Sequence, residues 1–204
     1  MRKIPPNFES HIDNILYVPI EYLSDYMKDV HPNILTTIAV LCDIFAFYSC
    51  YICKFALSVV LFFFGYFFDC MDGYVARKFK KVSKFGDYYD HVTDTLKVIG
   101  MLVVFYILNP TYFYKLLPLL FTMVILVVIH LDLQEITYNK RKESDTLGVL
   151  SLVARFIHGN NKDLIVYTRY FGLGNMFVVL LLIYIYVINN SDYYLSCKHK
   201  KNDL

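Results

Sequence analysis

The chain has 204 residues, a length within the range of a single domain. Hydrophobic residues make up 57% of it and the mean hydropathy is +0.43, values too apolar for an ordinary soluble protein. The formal net charge is only +2, so the composition gives no indication of nucleic-acid binding and favours an integral membrane protein.

The first 30 residues are mixed in polarity and have no early apolar core, so they do not predict a cleavable signal peptide. Residues 15–27 show a pattern that is compatible with a short amphipathic helix lying on a bilayer, or with an irregular arm. We expect residues 1–30 to form an interfacial arm, residues 31–190 a transmembrane domain and residues 191–204 a polar tail.

Five apolar runs predict membrane spans. They cover Ile34–Ile52, Ala56–Phe68 (extended on helical grounds to about Ala76), about Tyr88 to Leu108, Leu116–Leu131 and Leu164–Ile188. Residues 146–157 are also apolar but too short to cross a bilayer alone, which leaves a sixth span, a re-entrant segment and an interfacial segment open. The predicted fold is an all-α, polytopic transmembrane helical bundle with five to six spans plus a short N-terminal amphipathic segment.

Two clusters of aspartates border the second and third apolar runs. Asp69 and Asp72 are three residues apart, and Asp87, Asp90 and Asp94 are spaced by three and four. On a helix each cluster would therefore share one face. Carboxylates at the edge of a span are costly unless something positive neutralises them, and oxygen ligands select Mg²⁺, Mn²⁺ or Ca²⁺ rather than zinc. The pattern predicts a two-helix metal site that handles a phosphorylated substrate at a membrane surface.

The turn between these clusters is basic. Arg77 would clamp a phosphate, and Gly73 would let the backbone approach a nucleotide. Basic residues in short loops mark the cytoplasmic side. The cluster at residues 77–84 and the cluster at residues 140–142 therefore place the aspartates, the N-terminus and the 139–145 loop on that side. The final residues KNDL resemble a luminal retention signal.

Two features of the apolar runs have less specific interpretations. Asp43 lies in the middle of the first span, where it must face the protein interior or form a pair, with either a structural or a substrate-related role. The five cysteines show no metal-site spacing, and the CYIC tetrapeptide lacks the context of a redox fold. We predict that all five cysteines are unpaired packing residues.

The acidic stretch matches a known pattern, Asp-x2-Asp-Gly-x2-Ala-Arg-x8-Gly-x3-Asp-x3-Asp. It resembles the signature of the class I CDP-alcohol phosphotransferases. Upstream, Pro32-Asn33-x2-Thr36 is similar to that family's Pro-Asn-x-x-Thr at the start of the first span. The matching positions of the signature are Asp69, Asp72, Gly73, Ala76, Arg77, Gly86, Asp90 and Asp94.

The resemblance implies that the pyrophosphate of a CDP-linked alcohol is cleaved, that its phosphoryl-bearing half passes to a hydroxyl of a second alcohol, and that CMP is released. It implies two Mg²⁺ or Mn²⁺ ions held by Asp69, Asp72 and Asp90, with Asp94 sharing a metal or acting as the general base. The residues implied around the cytidine diphosphate are Asn33, Thr36, Gly73, Arg77 and Gly86.

Other implications concern partners and location. They are a CDP-linked donor, a lipid, polyol or aminoalcohol acceptor, contact with membrane lipids, and a homodimer by analogy. The expected location is an endomembrane similar to the endoplasmic reticulum, with the active site facing the cytoplasm.

The alcohol itself stays open. Residues 76–86 resemble phosphatidylinositol synthases, which usually carry Arg where this chain has Thr95. Asp90-His91 and Asp94-Thr95-Leu96 look more like the choline and ethanolamine phosphotransferases. Two alternatives of other kinds are a membrane prenyltransferase-like enzyme, which also uses aspartates and Mg²⁺ on diphosphates, and a catalytically inactive membrane scaffold of the same fold.

Overall fold

The computed structural model describes Arg2, residues 4–138 and 161–191, Tyr193 and Cys197. These residues are helical wherever they are regular, and they contain no β-strand. The α-helices are α1 (His11–Ser24), α2 (Pro32–Tyr51), α3 (Phe55–Lys78), α4 (Lys84–Leu108), α5 (Pro110–Tyr138), α6 (Asn161–Thr168) and α7 (Leu173–Asn189).

Five stretches of the described chain are long and apolar enough to cross a membrane, which confirms the predicted all-α polytopic fold. They are Pro32–Tyr51, Phe55–Lys78, Lys84–Leu108, Pro110–Gln134 and Leu164–Asn189. The predicted sixth segment, residues 146–157, and the basic cluster at residues 140–142 lie outside the described residues.

The chain forms two compact units. The first comprises residues 1–2, 16–115 and 181–204 and contains the whole of α2, α3 and α4. The second comprises residues 3–15 and 116–180 and contains α6. The residues of α1, α5 and α7 are divided between the two units.

Two helices begin several residues before the starts that their apolar runs predicted, because polar side chains cap them. The Ser83 hydroxyl accepts a hydrogen bond from the Gly86 N–H at 3.0 Å, so α4 begins in the basic turn. The Asn109 side-chain oxygen accepts one from the Tyr112 N–H at 3.1 Å, so α5 begins at once after α4. Such caps satisfy backbone donors that lack a partner inside the helix.

The turns that follow α2 and α3 have the same construction. Cys53 and Lys80 adopt left-handed backbone conformations, with φ of 64° and 54°. The residue after each of them donates its N–H back into the preceding helix, to the carbonyl of Ser49 at 2.7 Å and of Ala76 at 2.8 Å. This Schellman arrangement ends a helix sharply and reverses the chain. It therefore keeps the connections between α2, α3 and α4 short.

Aromatic packing fills the core of the first unit. The buried ring of Tyr184, on α7, lies 5.6 Å from the ring of Phe62 on α3 and 6.2 Å from that of Phe105 on α4, measured between centroids. Its hydroxyl is 2.8 Å from the hydroxyl of Ser58, which is completely buried. A buried hydroxyl needs such a partner because it has lost its hydrogen bonds to water.

In the second unit, the last predicted span is interrupted. A 3-10 turn, Arg169–Phe171, separates α6 from α7. The Asp13 carboxylate accepts hydrogen bonds from the Gly174 N–H at 3.2 Å and from the Ser10 hydroxyl at 2.7 Å, so it caps the first turn of α7. The break is tolerated because a side chain satisfies the backbone that it exposes.

A disulfide joins Cys53, in the turn between α2 and α3, to Cys197, with their Cα atoms 5.8 Å apart. The nearby Tyr193 hydroxyl donates to the Tyr51 carbonyl at 2.7 Å. The prediction that all five cysteines are unpaired is therefore wrong for these two, whereas Cys42, Cys50 and Cys70 form no disulfide. The error has a physical reason, since 144 residues separate the partners and local spacing carries no sign of the pairing.

We predict that Tyr184→Phe lowers the midpoint of thermal unfolding of the detergent-purified protein, because it leaves the buried Ser58 hydroxyl without this partner while keeping the aromatic ring. The expected decrease in the free energy of unfolding is about 1–3 kcal/mol. The matched control is Tyr114→Phe, at a ring that is 62% exposed, which should leave the midpoint unchanged. Equal midpoints for the two variants would contradict the assignment.

Candidate active site

The predicted site residues lie on three helices of the first unit. Their positions are the first turns of α2, the last turns of α3 and the first turns of α4. The short turn between α3 and α4 reverses the chain, so the two aspartate clusters lie at the same end of these helices.

Three of the predicted metal ligands converge. Asp69, Asp72 and Asp90 each offer a carboxylate oxygen, and these oxygens all lie within 4.8 Å of one another. Asp72 is buried, whereas the other two are half-buried. Ligand oxygens bind Mg²⁺ or Ca²⁺ at about 2.0–2.6 Å, so oxygens that share one ion are at most about 4–5 Å apart. The donor set therefore fits a hard divalent cation in both chemistry and spacing.

Thr36 orients one of these carboxylates. Its hydroxyl, on the first turns of α2, donates to an oxygen of Asp72 on α3 at 2.5 Å, and both side chains are buried. This bond uses one of about four lone-pair sites of the Asp72 carboxylate, which can therefore still bind a cation. The sequence placed Thr36 beside the nucleotide, and the structure places it directly against a predicted metal ligand.

The structure adds a residue that the sequence reasoning missed, Lys97 on α4. Its ammonium lies 3.8 Å from a carboxylate oxygen of Asp69 and 3.7 Å from one of Asp94, and its side chain is only 13% exposed. A signal was present in the sequence, because Lys97 interrupts the apolar run that follows the last aspartate. A lysine inside a span usually faces the protein interior and pairs with an acid.

Lys97 also explains Asp43. The buried carboxylate of Asp43, in the middle of α2, lies 3.4 Å from the Lys97 ammonium. It packs against the backbone of α3 at Gly65, where an added Cβ would be only 3.1 Å from the Asp43 Cγ. The prediction that Asp43 must face the protein interior or form a pair is confirmed, because it does both.

Asp94 differs from the other predicted ligands. It is not among the three carboxylates that converge within 4.8 Å, and its side chain is 50% exposed. Its contact in the described part of the chain is with Lys97, one turn further along α4. Its side chain is therefore more exposed than that of Asp69, which is 18% exposed.

The residues predicted to surround the cytidine diphosphate come together in two local pairs. A Cβ added at Gly86 would lie 3.0 Å from the side-chain oxygen of Asn33, which brings the start of α4 against the start of α2. A Cβ added at Gly73 would lie 3.0 Å from an Arg77 guanidinium nitrogen, so the guanidinium covers the bare backbone one turn before it.

Part of the basic turn holds the segment that precedes α2. The Lys78 ammonium lies 2.5 Å from the Asp25 carboxylate, and the Lys81 ammonium donates to the carbonyl of Lys28, also at 2.5 Å. Lys80 is exposed at the tip of the turn. Lys78 and Lys81 therefore stabilise local structure, whereas Lys80 faces solvent.

Comparison with known proteins gives a family match and several partial relatives. Residues 29–197 match the family model described as CDP-alcohol phosphatidyltransferase. Over 73 residues, 36% of the chain, the sequence is 42% identical to CDP-diacylglycerol–inositol 3-phosphatidyltransferase 1 of Arabidopsis thaliana, and over the same length it is 37% identical to archaetidylinositol phosphate synthase of Pyrococcus horikoshii. The matched part spans 32% and 39% of these two relatives. No solved structure matches the chain significantly.

We predict that Thr36→Val lowers the stability of the protein, because it removes the hydroxyl that donates to the buried carboxylate of Asp72. A hydrogen bond to a charged group contributes about 1.5–3 kcal/mol, and thermal unfolding in a metal-free buffer should show a loss of that order. Thr36→Ser keeps the hydroxyl and should retain most of the stability. If Val and Ser had the same effect, the hydrogen bond would not be the cause.

Proposed function

Because the chain belongs to the CDP-alcohol phosphatidyltransferase family, we propose that it is a phospholipid-synthesis enzyme that transfers the phosphoryl-bearing half of a CDP-linked alcohol to a hydroxyl acceptor. The acceptor oxygen would form a bond to the distal phosphorus, the pyrophosphate linkage would break, and CMP would leave. The observation that carries the proposal is the convergence of Asp69, Asp72 and Asp90 within 4.8 Å. We assign the activity to residues 31–190.

We propose that two divalent cations, Mg²⁺ or Mn²⁺, occupy this site. Asp69, Asp72 and Asp90 would hold them, and the ions would neutralise charge that develops on the pyrophosphate. The formal charge of the acidic residues supports two ions rather than one. The Lys97 ammonium and the five carboxylates around it or in the converging group carry a formal charge of −4. These carboxylates are those of Asp43, Asp69, Asp72, Asp90 and Asp94. Two divalent ions would balance this charge.

The other residues of the chain would orient the donor and receive a proton. Arg77, with its guanidinium beside Gly73, would contact a phosphate, because a guanidinium can donate two parallel hydrogen bonds to one. Asn33 and Gly86, which lie together, would contact the cytidine end. Asp94 would take the proton of the acceptor hydroxyl at a carboxylate oxygen, a role that suits its exposure.

We further propose that the donor is CDP-diacylglycerol and the acceptor is inositol. The support is the name of the Arabidopsis relative, an inositol phosphatidyltransferase that uses CDP-diacylglycerol, together with its 42% identity over 73 residues. The family match also favours a CDP-linked donor over a prenyl diphosphate.

The decisive experiment is a radiolabelled transfer assay with protein in membranes or detergent. CDP-diacylglycerol with inositol, serine or glycerol phosphate is compared with CDP-choline or CDP-ethanolamine plus diacylglycerol. We expect metal-dependent CMP release with CDP-diacylglycerol and inositol. Product from another pair would overturn the substrate assignment alone, whereas no CMP from any donor would favour the inactive scaffold.

In the same assay, Asp69→Asn and Asp90→Asn should each reduce turnover by at least about 10³-fold, because each removes a proposed ligand of the catalytic ions. The matched control is Asp87→Asn. Asp87 lies on α4 with Asp90 but outside the converging group, so this variant should retain most activity. Size-exclusion chromatography checks that all three variants remain folded. Full activity of Asp69→Asn would refute the metal assignment.

We also propose that the acidic site faces the cytoplasm. The basic turn between α3 and α4 supports this orientation by the positive-inside rule. The disulfide supports it independently, because Cys53 lies at the other end of α3, separated from Asp69 by more than about 20 Å of helix. Disulfides persist in oxidising compartments such as the lumen of the endoplasmic reticulum.

Labelling with a membrane-impermeant maleimide tests this orientation. In sealed microsomes with the cytoplasmic face outside, a cysteine introduced by Lys80→Cys should be labelled, because that position is exposed in the basic turn. Cys53 and Cys197 should be labelled only after detergent and reductant are both added. Labelling of Cys53 in sealed microsomes without reductant would reverse the orientation.

A further inference from the structure

The first observation is that Lys97 does not simply neutralise one neighbour. Its ammonium lies within 4 Å of three carboxylates on three helices, at 3.4 Å from Asp43, 3.7 Å from Asp94 and 3.8 Å from Asp69. One of these, Asp69, belongs to the converging group, and Asp43 does not. The lysine is therefore shared between the candidate metal site and a carboxylate outside it.

The second observation is that Asp43 is fixed in place. It is buried, it packs against the bare backbone at Gly65, and its Oδ1 atom has no hydrogen-bond partner among the described residues. A buried carboxylate in this state depends on the nearby ammonium for its charge compensation. Because Asp43 is packed against α3 at Gly65, it attracts the Lys97 ammonium from a position outside the converging group.

The Lys97 ammonium would compete with a divalent cation for the negative charge of the site. An ammonium that pairs with Asp69 and Asp94 neutralises one proposed metal ligand and a carboxylate beside it, so it reduces the attraction of the site for a divalent cation. It stabilises the metal-free state, in which the aspartates would otherwise repel one another, and it opposes metal binding. A partner that attracts this ammonium from outside the site reduces that opposition.

From these three points we propose that Asp43 and Lys97 form a counter-charge pair that sets the affinity of the site for its divalent cations. Lys97 compensates Asp69 and Asp94 when the metal is absent, and Asp43 holds the ammonium when the metal binds. Both are positioning residues that act through the ligands. The inference rests on the proposed function for the existence of the metal site, and it concerns what determines the affinity.

The alternative is that the pair is merely structural and that Lys97 serves only to neutralise a buried acid. The two explanations predict different changes in the affinity for the metal. If Asp43 restrains Lys97, then Asp43→Asn should release the ammonium onto Asp69 and Asp94 and weaken metal binding. The double variant Asp43→Asn/Lys97→Met should strengthen binding, because the competitor is gone while the formal charge of the group stays at −4. A structural pair predicts no such reversal.

The test is a titration of the detergent-purified protein with Mn²⁺, in which the free ion is measured by electron paramagnetic resonance. Relative to the unmodified protein, we expect the Kd to rise about threefold or more for Asp43→Asn and to fall about threefold or more for the double variant, given the strength of charge interactions at these distances. The metal-induced increase in the unfolding midpoint should follow the same order.

The matched control is Lys115→Met, at a lysine that contacts the ring of Tyr112 and lies near the opposite end of α4, which should leave the Kd unchanged. If the double variant does not fold, Asp43→Asn/Lys97→Gln gives the same comparison. Shifts of the same sign in the single and double variants, or no shift in either, would overturn the proposal while leaving the function intact. If the unmodified protein bound no Mn²⁺, the proposed metal site itself would fail.

Discussion

Repulsion between carboxylates in a poorly solvated place is the constraint on which this structure depends. Asp69, Asp72 and Asp90 approach within 4.8 Å although each carries the same charge, and they do so at the edge of membrane spans. Such an arrangement is costly in a medium of low dielectric constant unless positive charge lies among the carboxylates. A hydrogen bond from Thr36 and one shared ammonium compensate part of this charge. The remainder is what a divalent cation would neutralise.

The turn between the end of α3 and the start of α4 brings the two aspartate clusters close together. The turn after α3 closes with a left-handed Lys80, and the Ser83 cap starts α4 only a few residues later. The two acidic faces therefore lie at the same end of α3 and α4. A longer connection would make it less favourable to hold the clusters together, because the entropic cost of bringing the two ends of a loop together rises with its length. The basic turn is thus part of the site as well as a topological signal.

The sequence predicted the features that repeat at helical spacing, since registers of three and four residues determine a face without any tertiary information. The aspartate clusters and the five spans belong to this class. It did not predict Lys97 as a partner of the cluster, the bond between Cys53 and Cys197 or the break at residues 169–171, because each depends on segments distant in the chain. The first residues of α4 and α5 were also predicted wrongly, because a hydropathy pattern does not reveal a polar residue that caps a helix. Local rules thus found the candidate ligands, and packing determined their counter-charges.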